Sequence, residues 1–282
     1  MNFEWTILIA LAGAIIAKPA SSLLGRYTGW VVSLIPLFIF ASLLMHVAPV
    51  ADGQALIAQL AWVPSLGVEL AFRLDGFSLL FGLLISGIGT LVVIYAGAYF
   101  AEKPSGEIGR FLSLIMLFMT AMLGTVLSDN LIVMFVFWEL TSLASFLLIG
   151  FDGHKEAARK SALQSLIVTG GGGLALFAGI LLIGMTLGTF SFTEVLARSN
   201  ELVASTWAIP IAILIIIGAF TKSAQFPFHF WLPNAMAAPT PASAYLHSAT
   251  MVKLGVFLLA RFDGVFAGMP GFGHTLVVFG SL

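Results

Sequence analysis

The sequence predicts an all-α polytopic membrane protein: a bundle of about eight to nine transmembrane helices, the seventh broken, with a short outer β-hairpin. Three observations carry this. Hydrophobic residues make up 60% of the chain and charged ones only 9%, against roughly 25% charged in a soluble domain. Apolar runs recur at close to the ~20 residues that a bilayer core requires. One such run, "AIPIAILIIIGAFTKSAQFPFHFWLP", is interrupted by a lysine and then by two prolines. A net charge of −1 offers no basic surface to phosphates and excludes nucleic acid as a partner. With no cysteine, disulfides, thiolate metal sites and cysteine-ligated iron–sulfur clusters are excluded as well.

Charges and turn residues divide the chain into spans near 4–17 (short), 29–47, 76–98, 111–127, 131–150, 161–187, 206–235 (interrupted) and 242–260. A ninth begins near 272 and reaches Leu282 at about half the required length, so the natural polypeptide is expected to continue. The first segment contains Glu4 and lacks a basic leading region, which reads as a retained span and not a cleaved signal peptide. One alternating set of loops holds Lys18, Arg26, Lys103, Arg110, Lys155, Arg159 and Lys160, and the opposite set only Arg73, Arg198 and Arg261. The richer side is predicted to be cytoplasmic, with the N-terminus outside the cell membrane. In "VELAFRLD", Val68, Leu70, Phe72 and Leu74 alternate with Glu69, Ala71, Arg73 and Asp75, a period of two that predicts a strand. The run "TGGGGLALF" at 169–177 lacks the lysine of a phosphate loop and lies inside an apolar span, so it predicts close helix packing.

Two lysines, Lys222 and Lys253, belong to no loop. Glu139 lies about 12 Å into its span, Lys253 about 18 Å past Pro241 and Lys222 about 22 Å from Trp207 at regular helical rise. Three charges therefore share roughly one depth in three helices. Each costs about 2.5–3.5 kcal/mol at a helix centre, so they are expected to face one another or water. His229 and His247 extend the row. Either ring alone would read as packed against a backbone carbonyl, but beside these charges both suit a proton relay, since histidine titrates near neutrality. No His-x-x-His or Glu-x-x-His spacing favours a metal. Pro227 is expected to open the helix about one turn after Lys222, beside a wet cavity of the kind that tolerates non-helical backbone. Thr250 lies angularly between His247 and Lys253 on a regular helix and is expected to join them through its hydroxyl.

The stretches "FVFWELTSLASFLLIGF", "GAFTKSAQFPFHFWLPNAMAAPTPASAYLHSATMVKLGVFLLARF" and "LDGFS" resemble the antiporter-like subunits shared by respiratory complex I and the multisubunit Mrp-type Na+/H+ antiporters. The forms "HFWLP" and "YLHSATMVK" look most like the A subunit of the Mrp antiporters. The resemblance implies a Glu139–Lys222 pair, with His229, His247 and Lys253 as stepping stones for protons. Complex I relatives often carry aspartate where this sequence has Asn234. It further implies two inverted five-helix repeats: residues 1–110 would hold helices 1–3 and the hairpin, 111–261 the first repeat, and 262–282 the start of helix 9, the second repeat being absent. The expected function is proton translocation within a hetero-oligomeric Na+/H+ antiporter in the lipid bilayer, partnered by other antiporter subunits, with H+ and Na+ as the ions and no cofactor. A proton-pumping subunit of a redox-driven complex and a structural scaffold are the alternatives.

Overall fold

The computed structural model describes residues 2–63 and 68–281. Met1, and Leu282 at the end of the ninth predicted segment, lie outside the described residues. Helix α1 (Trp5–Leu24) leads through a 3-10 turn to α2 (Thr28–Val32), α3 (Leu34–Leu44) and α4 (Val47–Ala51). Strands β1 (Leu56–Val63) and β2 (Val68–Leu74) form an antiparallel hairpin. Long helices α5 (Gly76–Tyr99), α6 (Ser105–Leu127), α7 (Leu131–Ile149) and α8 (Glu156–Leu187) follow, then short α9 (Phe192–Ala197) and α10 (Ser199–Ala204). The remainder comprises α11 (Ala208–Lys222), α12 (Trp231–Ala235), α13 (Thr240–Ser243), α14 (Met251–Phe266) and α15 (Phe272–Gly280). Five helical stretches among the described residues are long and apolar enough to cross a membrane: Trp5–Leu44, Gly76–Tyr99, Ser105–Leu127, Leu131–Ile149 and Glu156–Leu187. The chain is a multi-pass membrane protein.

Local chemistry explains where the helices depart from expectation. The first span runs on to Leu24, not 17, because Pro19 is accommodated inside α1 at the cost of one backbone donor. What holds that extra length is packing on α6, where the absence of a side chain on Gly109 admits Ser21 and the Lys18 backbone. The second span is two helices meeting at Ser33. Pro36 has no N–H to offer the carbonyl of Val32, the last residue of α2. Helix α6 is buried on nearly every side from Ile108 to Leu127 and packs against α1, α5 and α7, as expected of a helix apolar all round. Leu91, Leu174 and Met185, by contrast, leave their side chains exposed on the outside of the bundle.

The hairpin is not a loose cover. Phe72 bridges to Ser128, and the Ala71 carbonyl accepts a hydrogen bond from the Asp129 N–H (2.8 Å) in the α6–α7 turn. Ala71 is therefore buried along with Leu74, although strict alternation puts it on the polar side. Beyond the strand, Asp75 caps α5 by exchanging hydrogen bonds with Ser78. The same carboxylate forms ion pairs with Arg73 (3.2 Å) and with Arg261 of α14. Arg73 also donates to Thr193 (2.9 Å), whose hydroxyl donates to Asp129 (2.6 Å). One polar network thus ties the hairpin, α5, the α6–α7 turn, α9 and α14 together at one end of the bundle.

Burial works to raise the pKa of Asp75, but Arg261 and the Ser78 hydrogen bonds outweigh it and hold the carboxyl below its ordinary value. A depressed folded-state pKa gives stability that is complete above about pH 4 and lost as pH falls through the folded value. Asp75→Asn should lower unfolding stability in detergent at neutral pH by about 1.5–3 kcal/mol, the worth of hydrogen bonds to a charged group. The gap between variant and parent should close below pH 4, and denaturation curves at the two pH values check both parts.

Candidate functional site

Helix α11 ends on Lys222, one turn before the place that Pro227 suggests. Ser223 caps it, Ala224 takes the left-handed conformation (φ 51°), and the Gln225 N–H returns to the Phe220 carbonyl (2.9 Å). This is the pattern of a Schellman stop, so the helix terminates by its own capping and Pro227 lies beyond it. The Thr221 carbonyl is satisfied by the indole N–H of Trp231 (2.9 Å) after the chain has turned. The Ser223 hydroxyl donates to the Val252 carbonyl (2.7 Å), and Gly255 lets α14 approach close to Ala219 and Ser223. The break is thus held against α12 and α14 by polar contacts within the protein.

Lys222 is fully buried. Its Nζ donates to Ser142 Oγ (2.7 Å) and to the Trp138 carbonyl (3.3 Å), with the Trp138 ring centroid 5.2 Å away. It does not form an ion pair with Glu139 in this conformation, although adjacent glycines of α8, Gly172 and Gly173, lie against Thr221, the neighbour of Lys222, and against the Glu139 carboxylate. Glu139 Oε1 is buried with no hydrogen-bond partner. The carboxylate lies against the glycine run of α8, where a Cβ on Gly173 would collide with Oε1, and the next glycine, Gly172, receives Thr221 of α11. The glycines are therefore the recess into which a glutamate from α7 and a threonine from α11 both fit. This is the close packing expected from the sequence, with a carboxylate inside it.

The other predicted residues are more dispersed. His247 sits in a π-helical segment, Ala244–Thr250, where the sequence suggests regular helix. Its ring lies 6.2 Å from that of Trp231, and its nitrogens are buried beside the backbone of Ala235. The Thr250 hydroxyl donates to the Tyr245 carbonyl (2.5 Å) inside this segment. It is engaged in the wide turn and does not bridge His247 to Lys253, because the angular argument assumed an unbroken α-helix. Lys253 is exposed on α14, and His229, in a 3-10 turn, is exposed with its ring stacked against Phe226. Asn234 donates to Gln164 (2.7 Å) on α8. Of the five residues, then, the fold groups Glu139 with Lys222, sets His247 behind Trp231, and leaves His229 and Lys253 on the chain's surface. Sequence reasoning missed Trp138, Ser142, Thr221 and Trp231. Ser142 carried a usable signal: three residues past Glu139, it shares that residue's helix face.

Removing the recess should disturb the site from a distance. Gly173→Ala is expected to displace Glu139, and Gly172→Ala to separate α8 from α11. Either should lower thermal stability in detergent by about 1–3 kcal/mol, the usual cost of overpacking. Gly171→Ala, where a Cβ meets nothing within 4 Å, should leave the melting temperature unchanged.

Residues 128–282 match the family described as NADH:quinone oxidoreductase/Mrp antiporter, TM, and residues 61–112 match NADH-Ubiquinone oxidoreductase (complex I), chain 5 N-terminus. The chain is 47% identical over 262 residues to the A subunit of the Na(+)/H(+) antiporter of Alkalihalophilus pseudofirmus, covering 90% of this chain and 32% of the relative. It is also 47% identical over 256 residues to the A1 subunit of the Na(+)/H(+) antiporter of Staphylococcus aureus, covering 91% and 32%. It spans about a third of the length of these curated relatives. Among solved structures, a chain of the Mrp complex from Dietzia sp. DQ12-45-1b superposes with a TM-score of 0.91 at 37% identity, covering 99% of this chain and 30% of that one. A chain of the membrane-bound sulfane sulfur reductase, an archaeal respiratory membrane complex, shares the fold with a TM-score of 0.79 at 22% identity, covering 96% and 45%.

Proposed function

This chain belongs to the NADH:quinone oxidoreductase/Mrp antiporter transmembrane family, and from that premise we propose that it moves protons as part of a multisubunit Na+/H+ antiporter. The observation that carries the reading is Lys222: a fully buried amine at a helix break, held by uncharged acceptors and set near a carboxylate oxygen that has no partner. An ammonium in that place is destabilised by burial and favoured by an ionised Glu139. Neutralising or moving Glu139 therefore shifts Lys222 between holding a proton and giving it to water. His247, in the π-helical segment, and Lys253, on α14, receive protons in this scheme, and His229 lies at the far side of the break. The likeness to named Na(+)/H(+) antiporter subunits supports sodium as the counter-ion and other antiporter subunits as partners.

The charge asymmetry of the loops supports an outward N-terminus in a cell membrane. Residues 111–261 correspond in this reading to the first of two inverted repeats, with 1–110 preceding them and 262–282 opening the next helix. The second reading, a proton-pumping subunit of a redox-driven complex, is favoured by the match of residues 61–112 to a complex I chain. Purification from the native membrane separates the two: small antiporter subunits alongside this chain support the first, a quinone-linked module the second.

Lys222→Ala should abolish Na+-dependent proton movement in membrane vesicles while assembly persists, and Lys222→Arg should fail too, since arginine does not release its proton near neutral pH. Unchanged transport in either variant removes Lys222 from the path.

His247→Ala and Lys253→Ala should each depress transport strongly, and the double variant should cost little more, as for residues acting in series. Poor assembly with normal activity per assembled complex would instead assign this helix a purely structural part.

A further inference from the structure

We propose that Ser142 is a positioning residue of the ion pathway, whose hydroxyl holds the Lys222 amino group at a station separate from Glu139 and partners it in both its charged and its neutral form. The proposal rests on Lys222 as the proton carrier. Its geometry is direct: Ser142 Oγ is the nearest hydrogen-bond partner of Nζ at 2.7 Å, ahead of the Trp138 carbonyl at 3.3 Å. Both residues are fully buried.

The chemistry of the two partners differs. A backbone carbonyl only accepts, so it serves an ammonium through one N–H and offers nothing to the lone pair of a neutral amine. A hydroxyl does both. It accepts from the ammonium and, once a proton has passed from Nζ to water, rotates to donate to the amine's lone pair. Lys222 can thus change charge without leaving a buried polar group unpaired, which is the costly outcome inside a protein. Glu139 is the other station. Its buried Oε1 has no partner, and it lies one helical turn from Ser142 on the same face of α7. A lysine side chain pivoting between these two points swaps a neutral partner for an anionic one, and with it the balance between keeping and releasing the proton. Ser142 therefore sets how readily Lys222 leaves the anion.

The test uses substitutions in the protein as it occurs in its membrane, with Na+-driven proton movement measured per assembled complex. Threonine and valine have the same shape and differ at position 142 only in the hydroxyl. Ser142→Thr should transport within about threefold of the parent, and Ser142→Val and Ser142→Ala should lose about tenfold or more, the scale of one hydrogen bond to a charged group. Adding Ser142→Ala to Glu139→Gln should cost little beyond Glu139→Gln alone, because the second station is then already gone. Valine as active as threonine, or alanine as active as the parent, overturns the proposal. Should the added methyl of threonine and valine prevent assembly, the smaller alanine variant decides alone. Lys222→Ala run in parallel keeps the premise separate: inactive Lys222→Ala with fully active Ser142→Ala sinks only the part given to Ser142, whereas active Lys222→Ala sinks the premise with it.

Discussion

A lysine amine with no access to solvent has to be solvated by the protein, and much of the architecture around α11 follows from that requirement. Lys222 is fully buried, and in a low-dielectric interior an unpartnered ammonium is too costly for a marginally stable fold. The protein answers with a hydroxyl, a backbone carbonyl and an indole face, all from one turn of α7. These partners are neutral. They lower the cost of the charge without locking it in place, as a tight ion pair with Glu139 would. A group that gains and loses a proton, the part proposed for Lys222, is served better by partners of this kind than by a permanent counter-ion.

Such a site needs helices close together, and the closeness comes from missing side chains. Gly172 and Gly173 on α8 leave room for Thr221 and for the Glu139 carboxylate, and Gly255 on α14 lets that helix meet the α11 terminus. Small residues at helix contacts are how membrane bundles pack without a hydrophobic drive between helices. Here they also decide where a charge sits. The capped end of α11 completes the arrangement, because the Trp231 indole both satisfies the Thr221 carbonyl and lies tilted beside the His247 ring.

At the hairpin end of the bundle, a different kind of interaction fixes the frame. Asp75 caps α5 and pairs with two arginines, one of them on α14, while Arg261 itself lies over the rings of Phe77, Phe192 and Phe257. Helix α14 is thereby anchored by its final turns, while the π-helical segment preceding it carries His247. Extra residues per turn leave backbone hydrogen bonds imperfectly aligned, which is why π segments often mark functional places in helices.

The sequence by itself determined what composition and spacing can encode. Hydropathy fixed a helical membrane protein, the interrupted run placed Lys222 at the end of a half-helix, and the alternation in "VELAFRLD" gave a strand. Those features are local, set by solvent and backbone chemistry within a few residues. What tertiary structure decided is which side chains meet. Glu139 and Lys222 share a depth in the sequence, yet whether they touch depends on rotamers and on helix rotation, and the amine rests on Ser142. Lys253 shares that depth too but lies exposed, because the π-helical segment changes the rotation on which a regular-helix argument relies. Ala71 is buried against its alternation because the α6–α7 turn packs over it. In each case the deciding contact joins residues far apart along the chain, and no periodicity within one segment carries that information.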